Sequence, residues 1–403
     1  MHLLFFNRSF HPDVEATGQL LAELCQDLSR EHEVTVVAGR AYSMERFESW
    51  LPVKLEQWGA VRILRAYNPR LNKRRFTARV VNLLSYFGFS FVAGFFARRP
   101  DVVVVETDPP VLGLVGLLFA RLYRARFVFY VQDLYPDVGV ALGKLKNPLL
   151  IRALDAVTRL TLRSADRVVV LGEDMQRRLE AKGYRPRDRI RVIPNWMDTR
   201  QVSPVTRHNG FRQRHGLNGE FVVMFSGNHG LSQGLERVID AAAALETRSD
   251  IRFVLVGDGA AKSGLMARAR ALRLTNVMFL PYQPKETLSE SLGAADVHLV
   301  TLQRGLAGLI VPSKVYGILA AGRPFIAAIE KDSHPAGIIR EHQCGLRVEP
   351  DAAEALPAAV LWAAGHREAL EAMGARGREA AVQHFDRQVA VDKFRKLLAE
   401  LSA

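Results

Sequence analysis

Residues 2–39 read HLLFFNRSFHPDVEATGQLLAELCQDLSREHEVTVVAG, with a short apolar run at each end and a spaced pattern between them. The leucines between the two runs recur at helical spacing, at Leu20, Leu21, Leu24 and Leu28. Short, continuously apolar runs are typical of strands that helices cover on both faces, whereas the spaced leucines are typical of an amphipathic helix. The stretch therefore predicts a strand, a glycine-containing loop, a helix and a second strand of a parallel sheet.

The same alternation continues along the chain and starts again after a polar, basic connection at residues 199–218. Apolar runs stand at 101–106, 126–131 and 166–171 before the connection, and at 220–226, 251–256, 276–280, 296–302 and 324–329 after it. The closing stretch FDRQVAVDKFRKLLAEL has the apolar spacing of a helix. The pattern predicts an α/β protein with two doubly wound domains, at residues 1–198 and 199–384, and a final helix at 385–403.

The composition argues against several classes of protein. The chain has 403 residues and a formal net charge of +13, and its two cysteines, Cys25 and Cys344, stand far apart. Cysteines in this arrangement favour a reducing compartment and predict neither a disulfide framework nor a zinc site. The basic excess favours an anionic partner. Because no zinc-finger spacing or RNP-like motif supports nucleic acid, a membrane surface is the better candidate.

A basic cluster stands before the most apolar early segment, residues 80–96. That segment contains Asn82 and Ser85 and is shorter than the roughly 20 apolar residues that span a bilayer. Two interpretations remain open: the segment rests on an acidic membrane face, or it is a buried core helix with a solvated basic end. The amino terminus does not resemble a signal peptide, so we expect a cytoplasmic, peripheral membrane protein. The basic cluster consists of Lys73, Arg74, Arg75 and Arg79.

Two glycine-containing loops follow successive strands of the second predicted sheet. The first is SGNHGLSQG at residues 226–234, which includes Asn228, His229 and Gln233, and the second is GDG at 257–259. The backbone amides of such loops can bind phosphate groups. Their spacing matches neither a P-loop nor the dinucleotide-binding fingerprint, so ordinary tight turns remain the alternative.

The stretch VPSKVYGILAAGRP, residues 311–324, contains the start and the end of a short helix. Ser313 is a candidate N-cap, and Gly322 with Pro324 ends the helix. Lys314 is unexpected, because the helix dipole disfavours a cation in the first turn. An anion bound at this place would be attracted by the ammonium group, whereas the alternative is a solvated lysine.

In the first half of the chain, polar side chains follow two predicted strands. They belong to two loops that should meet at the carboxyl edge of the sheet, where α/β proteins build their sites. Asp133 is the sharper candidate for a base or a hydroxyl-binding group, since it directly follows its strand. As alternatives, Asp137 caps the next helix and His11 only shapes its loop. The candidates are His11, Asp13, Glu15 and Gly18 in one loop and Gln132, Asp133 and Asp137 in the other.

Taken in order, these motifs resemble glycosyltransferase family 4, in particular its bacterial branch for O-antigen, colanic acid and capsule polysaccharide. The resemblance extends over nearly the whole chain. It implies the GT-B fold, in which two Rossmann-like domains face each other across a cleft and the last helix crosses back to the first domain. It is carried by SFHPDVEATGQLLAELCQDLSREHEVTVVAG, VQDLYPDVGVALG, VIPNWMD, FSGNHGLSQGLERVIDAA, LVGDG and VPSKVYGILAAGRP.

The resemblance also assigns roles to positions. It implies that Asp133 and Lys314 are catalytic, with Lys314 also facing the donor diphosphate. The acceptor side comprises His11, Asp13, Glu15, Gln132 and Asp137, and no metal is required. The donor-binding residues that it implies are Gly18, Asn228, His229, Gln233, Gly257, Tyr282, Pro312, Ser313, Lys314 and Glu330.

At several of these positions the chain departs from the family pattern. Gln132 stands at the position of a catalytic-site histidine. Asn228 and Gln233 stand where many members have arginine and lysine. The glutamate pair of the family is absent, with Leu309 and Gly317 at its two positions. We interpret these departures as features of the polysaccharide branch, which often has a PSK form here.

The resemblance implies a retaining, metal-independent transferase. It would move a hexosyl or N-acetylated (deoxy)hexosyl group from a nucleotide-diphosphate sugar, expected to be UDP-linked, to a lipid-linked saccharide at the inner membrane face. Three alternatives remain open: a nucleotide-sugar 2-epimerase of the same fold, a soluble transferase that acts on a small metabolite, and a non-catalytic nucleotide-sugar binding protein.

Overall fold

The computed structural model describes residues 1–13, 15–40, 51–69, 71, 76–184, 187–217 and 219–402. Lys73, Arg74 and Arg75 of the basic cluster lie outside these residues. The chain divides into two compact units, one formed by Met1–Pro194 with Val391–Ala403 and the other by Asn195–Ala390. The first unit thus ends at Pro194, compared with an expected boundary at residue 198.

The first unit contains an eight-stranded sheet. Its strand order is β3-β4-β2-β1-β5-β6-β7-β8, and all neighbouring strands are parallel except the β3–β4 hairpin. The central strands are buried along their whole length, which explains their continuously apolar sequences. The strands are β1 (His2–Phe6), β2 (Glu33–Ala38), β3 (Val53–Trp58), β4 (Val61–Ala66), β5 (Val102–Glu106), β6 (Arg126–Val131), β7 (Arg167–Val170) and β8 (Ile190–Val192).

Helices connect the parallel strands of this sheet. Helix α2 contacts α3, and α3 in turn contacts α5, so these three form one layer. The helices of the first unit are α1 (Ala16–Leu28), α2 (Phe76–Gly94), α3 (Gly113–Tyr123), α4 (Asp137–Ala141), α5 (Pro148–Ser164) and α6 (Glu173–Ala181).

The second unit contains a six-stranded parallel sheet in the order β11-β10-β9-β12-β13-β14. Its strands are β9 (Phe221–Ser226), β10 (Ile251–Val256), β11 (Val277–Leu280), β12 (Val297–Thr301), β13 (Phe325–Ala328) and β14 (Gly345–Val348). Its helices are α7 (Gly210–Arg214), α8 (Glu236–Ala244), α9 (Lys262–Ala271), α10 (Leu288–Gly293), α11 (Lys314–Ala320), α12 (His334–His342), α13 (Ala355–Gly365) and α14 (Arg367–His384).

The last helix, α15 (Arg387–Ser402), begins in the second unit, and from Val391 onward it belongs to the first. The Phe394 ring lies 5.3 Å from the Tyr130 ring of β6, centroid to centroid. Near its end, Glu400 forms an ion pair with Arg191 at 2.7 Å. The final helix therefore adds buried contacts to the first sheet, although the two are far apart along the chain.

The predicted fold class is confirmed, because both units are α/β with Rossmann-like parallel sheets. The sequence pattern did not predict the β3–β4 hairpin, strand β14, or helices α12–α14. Strand β3 has the sequence VKLEQW and is largely exposed, so it lacks the continuous apolar run of a central strand. Among the described residues, no helix is both long enough and apolar enough to cross a membrane.

Candidate functional site

The carboxyl edge of the second sheet carries the cationic part of the candidate site. Gly227 and Gly257, which follow β9 and β10, have positive φ angles of 138° and 136°. A Cβ atom on Gly257 would collide with the carbonyl oxygen of Gly227, so the two loops approach more closely than side chains allow. The glycine-containing loops predicted from sequence therefore pack against one another.

Lys314 lies at this edge and turns toward the first of these loops. Its Nζ donates a hydrogen bond of 2.7 Å to Oε1 of Gln233. The same Nζ lies 3.4 Å from the centroid of the Phe225 ring, at the end of β9. Burial lowers the pKa of Lys314 well below its ordinary value. Among the described residues, no carboxylate forms an ion pair with it, so an anionic ligand would supply the missing counter-charge.

His229 is fully buried below the loop, and its ring lies 5.7 Å from that of Phe225. Burial and the nearby charges of Lys262 and Lys314 lower the pKa of His229 to about 4. The backbone amide of His229 donates to the carbonyl of Asp258 at 2.8 Å. A neutral His229 therefore ties the first loop to the second without adding a positive charge.

Two further candidates for the donor side, Asn228 and Tyr282, lie beside the second loop. Asn228 is exposed, and its side-chain amide lies beside Gly230 and Gly259. The Tyr282 hydroxyl donates to the carbonyl of Asp258 at 3.3 Å, and the side chain is 53% exposed. These two side chains flank the second loop and are accessible to a ligand.

The short helix α11 differs in detail from the sequence expectation. Ser313 occupies the N-cap position, but its side chain makes no capping hydrogen bond, and Pro312 before it is buried. With seven residues, α11 is too short for its dipole to be the main attraction for an anion, so the ammonium group of Lys314 carries the argument.

The two positions of the family's glutamate pair are filled by apolar packing. Leu309 is 4% exposed. A Cβ atom on Gly317 would lie 3.2 Å from the Cε of Met197 and 3.4 Å from a methyl group of Leu292. A glutamate at Gly317 would therefore need these side chains to move. Glu330, the other acidic candidate, accepts from the backbone amides of Gly305 at 2.9 Å and Ala307 at 3.3 Å, which holds the loop after β12.

The carboxyl edge of the first sheet is acidic. Glu106 ends β5 and is 1% exposed, and its Oε1 accepts a hydrogen bond of 3.0 Å from Gln132. Its Oε2 has no hydrogen-bond partner within the described part of the chain. Burial raises the pKa of Glu106 well above its ordinary value, which favours the neutral form of the group.

Thr107 positions the loop that carries Asp133. Its Oγ1 accepts hydrogen bonds of 3.1 Å from the backbone amides of both Gln132 and Asp133. Burial, and secondarily the charge of Asp108, raises the pKa of Asp133 to about 7. Asp108 itself pairs with Arg8 at 2.8 Å. A carboxyl that titrates near neutral pH has the acidity expected of a general base.

The loop after β1 places its candidates in specific contacts. The His11 ring stacks on Trp58 at 4.3 Å, and Asp13 accepts from the Ser9 hydroxyl at 3.2 Å. Glu15 pairs with Arg8 at 3.0 Å. A Cβ atom on Gly18 would collide with Ser9, so α1 needs a glycine to approach this loop.

Asp137 lies apart from these groups, in the first turn of α4. It accepts a hydrogen bond of 2.6 Å from Nζ of Lys182. The expected cap is not formed: the N-cap of α4 is Pro136, no side chain makes a capping hydrogen bond, and Asp137 is an acidic residue of the first turn, where the helix dipole favours it.

Sequence reasoning missed several residues of these edges, among them Phe225, Glu106, Lys262 and Arg8. Phe225 and Glu106 are the last side chains of buried runs, where only tertiary contacts distinguish them from core residues. Lys262, which donates to the carbonyl of Gly257 at 2.7 Å, follows the GDG loop closely enough to have been noticed. Arg8, which follows β1, was equally visible. Among the described residues, no cluster of three or more His, Cys, Asp or Glu side chains has the geometry of a metal site.

Comparison with known proteins identifies the family. The Glycosyl transferase 4-like domain model matches residues 15–196, and the Glycosyl transferases group 1 model matches residues 209–380. The chain is 32% identical over 339 residues to the probable glycosyltransferase WbjE of Pseudomonas aeruginosa, covering 82% of this chain and 84% of WbjE. It is 29% identical over 379 residues to the putative colanic acid biosynthesis glycosyl transferase WcaI of Escherichia coli, covering 89% and 91%.

A solved structure agrees with this assignment at the level of the fold. HepE of Anabaena, in complex with UDP-glucose, has a TM-score of 0.74 and 17% sequence identity to this chain, covering 99% of it and 100% of HepE. The chain thus belongs to the family that combines a glycosyl transferase 4-like domain with a group 1 domain, and it is a glycosyltransferase of the GT-B fold.

Proposed function

We propose that this protein transfers a hexosyl or N-acetylated (deoxy)hexosyl group from a UDP-linked sugar to a lipid-linked saccharide during synthesis of a bacterial surface polysaccharide. The name of WcaI, a putative colanic acid biosynthesis glycosyl transferase, supports the pathway class. The UDP-glucose complex of HepE supports the choice of nucleotide. Retention of the anomeric configuration and independence of metal ions are part of this proposal.

The observation that carries the proposal is the unpaired ammonium group of Lys314. Gln233 and Phe225 hold it beside the loop after β9, and no carboxylate among the described residues neutralises it. When the bond between the anomeric carbon and the diphosphate breaks, negative charge grows on the departing oxygen. A preorganised cation at that oxygen stabilises the transition state more than the ground state.

In the proposed reaction, the acceptor hydroxyl oxygen forms the new bond to the anomeric carbon. The hydroxyl proton leaves to Asp133 or to an oxygen of the departing phosphate. Asn228, His229, Gly257, Tyr282, Pro312 and Ser313 are assigned to the donor side, together with Gln233 and Lys314. Glu330 is assigned to the loop that borders the donor, and Gly18 to the packing of the loop after β1.

The test is a panel of nucleotide sugars incubated with and without a polyprenyl-diphosphate saccharide. We expect transfer only when both substrates are present, and we expect Lys314→Ala to lose most of it. Lys396→Ala, which removes an exposed lysine of α15, serves as the matched control. Release of a free epimerised sugar without acceptor would contradict the proposal. Transfer to a small soluble acceptor alone would contradict the lipid-linked acceptor.

A further inference from the structure

Helix α2 presents large apolar side chains outward. Its inward positions include Asn82, Tyr86 and Ser90, which are buried, and the Tyr86 hydroxyl donates to the carbonyl of Val37 at 3.0 Å. On the opposite side, Leu84 is 60% exposed. The buried side also includes Ala78 and Ala93, so α2 is apolar on both sides, and its large exposed side chains indicate an apolar surrounding on the outer side. The large apolar side chains of α2 that are exposed are Val81, Leu84, Phe91 and Val92.

The apolar surface continues from α2 onto α3. Phe95 and Phe96, which follow α2, are 53% and 59% exposed. The Phe95 ring contacts Phe119 of α3 at 5.1 Å, and Phe91 lies 6.0 Å from the same ring. On α3, Leu118 and Leu122 are exposed and stand one turn apart. The two helices therefore share one exposed apolar surface.

Helix α5 extends the same layer. Gly113 of α3 lies directly against Thr161 of α5, so the helices are in close contact. Leu149, Leu150 and Leu160 of α5 are exposed. We call the outer surfaces of α2, α3 and α5, with Phe95 and Phe96, the three-helix face.

The charge of the three-helix face selects its partner. Residues 76–99, 109–126 and 144–164 contain a single acidic residue, Asp155, but many basic ones. A second copy of the chain would place arginines against arginines, which costs free energy, whereas an anionic lipid surface would neutralise them. The exposed arginines of these segments for which the described residues show no acidic partner are Arg99, Arg121, Arg124, Arg152 and Arg163.

We propose that the three-helix face docks on the surface of an anionic lipid bilayer. The apolar side chains would enter the interfacial region, and the arginines at their borders would contact lipid phosphates. The inference deepens the proposed function, because a lipid-linked acceptor is presented at such a surface. It extends well beyond residues 80–96, to helices whose sequences are separated from that segment by strands.

The experiment is co-sedimentation of the full chain with vesicles that contain no nucleotide sugar and no acceptor. We expect binding to vesicles of equal parts phosphatidylglycerol and phosphatidylcholine, weak binding to phosphatidylcholine alone, and weaker binding at high salt. Each arginine near an anionic surface contributes about a fivefold factor in partitioning, so Arg121→Glu with Arg152→Glu should reduce binding by at least about 25-fold. Phe96→Ser with Leu149→Ser should reduce binding that persists at high salt.

The matched control combines Arg270→Glu with Leu272→Ser, both at exposed positions of the second unit, and should bind vesicles as the wild type does. Unchanged vesicle binding by both three-helix variants would overturn the inference. So would a wild-type dimer, seen by light scattering, that these variants convert to a monomer without any vesicle binding. Vesicle binding without transfer would contradict the proposed function alone, and transfer without vesicle binding would contradict the docking surface alone.

Discussion

The carboxyl edges of the two sheets carry buried ionisable groups of opposite type, carboxyl groups in the first unit and basic groups in the second. In the first unit, Glu106 and Asp133 are carboxyl groups whose pKa values are raised by burial. In the second unit, Lys314 and His229 are basic groups whose pKa values are lowered by burial. Desolvation disfavours charge of either sign, so burial shifts the acidic and the basic pKa values in opposite directions. Each edge is then suited to a different ligand.

Under the proposed function, this difference would divide the two edges between the donor and the acceptor. A bound anion would offset the desolvation of the Lys314 ammonium group, whose pKa burial lowers. A neutral hydroxyl brought to Asp133 would meet a carboxyl that can take its proton near neutral pH. The substitutions below test this proposed division of roles one edge at a time.

The largest effect is expected at the first edge, for Asp133→Asn. If Asp133 acts on the acceptor proton, kcat should fall by about 10²–10⁴-fold while the affinity for UDP stays unchanged. Because the pKa of Asp133 is raised to about 7, the carboxylate form appears as the pH rises through 7. The wild-type rate should therefore increase across this range, as measured by initial rates of transfer at saturating substrate.

The matched control for this substitution is Asp392→Asn, an exposed carboxylate of the last helix. It should keep the wild-type rate and the same dependence on pH. If Asp133→Asn retained full activity, or if it kept the rise in rate near pH 7, the proton would have to be accepted elsewhere, with a phosphate oxygen of the donor as the remaining base.

At the second edge, the first effect that we expect from a substitution is on the affinity for UDP. Lys314→Met keeps the length of the side chain and removes its charge. Hydrogen bonds to charged groups contribute about 1.5–3 kcal/mol, so UDP affinity measured by calorimetry should fall by about tenfold to a hundredfold. Lys396→Met is the control and should bind UDP normally. An unchanged UDP affinity of Lys314→Met would mean that Lys314 has only a structural role.

Patterns that are local in sequence predicted much of the fold and only part of the site. The strands of both sheets are continuous apolar runs, so the chain could be divided into two doubly wound halves before any contact was known. The apolar pattern did not predict the β3–β4 hairpin, because half of the residues in its exposed strand β3 are polar. The contact of Phe225 with Lys314 joins residues far apart in sequence, and Phe225 by itself has the appearance of an ordinary core residue.

Glu330 is a second residue whose contacts could not be predicted from the sequence. The motif resemblance implied contact with the donor sugar, and no pattern in the sequence indicates that its carboxylate accepts from the backbone of Gly305 and Ala307. Such contacts depend on how a loop folds back over the sheet edge. Residue type and spacing identify which loops form an edge, whereas the partner of each side chain is determined by tertiary packing.

A smaller effect is expected for Phe225→Leu, which removes the ring below Lys314. A cation–π contact contributes about 0.5–2 kcal/mol, so UDP affinity should fall by about twofold to thirtyfold. Phe253→Leu is the matched control, since Phe253 is equally buried in the core of the same sheet. Both variants should lose similar stability in thermal unfolding. Equal UDP affinity of the two variants would show that the ring has no effect on the lysine.

The smallest effect is expected for Glu106→Gln, and it concerns stability. The folded protein keeps a proton on Glu106 that the unfolded chain releases above its ordinary pKa of 4.5, so wild-type stability decreases as the pH rises above that value. Glutamine has the same shape and no charge to bury. We therefore expect Glu106→Gln to melt like the wild type near pH 4.5 and to be more stable at pH 8, by on the order of 1 kcal/mol or roughly 2–4 °C in Tm.

The control, Glu173→Gln, changes a carboxylate that is 78% exposed and should melt like the wild type at both pH values. A gain in Tm at pH 8 that was equally large near pH 4.5 would mean that the substitution improves packing and does not remove a buried charge. In that case, the acidic character of the first edge would come from Asp133 and Asp108, without a contribution from Glu106.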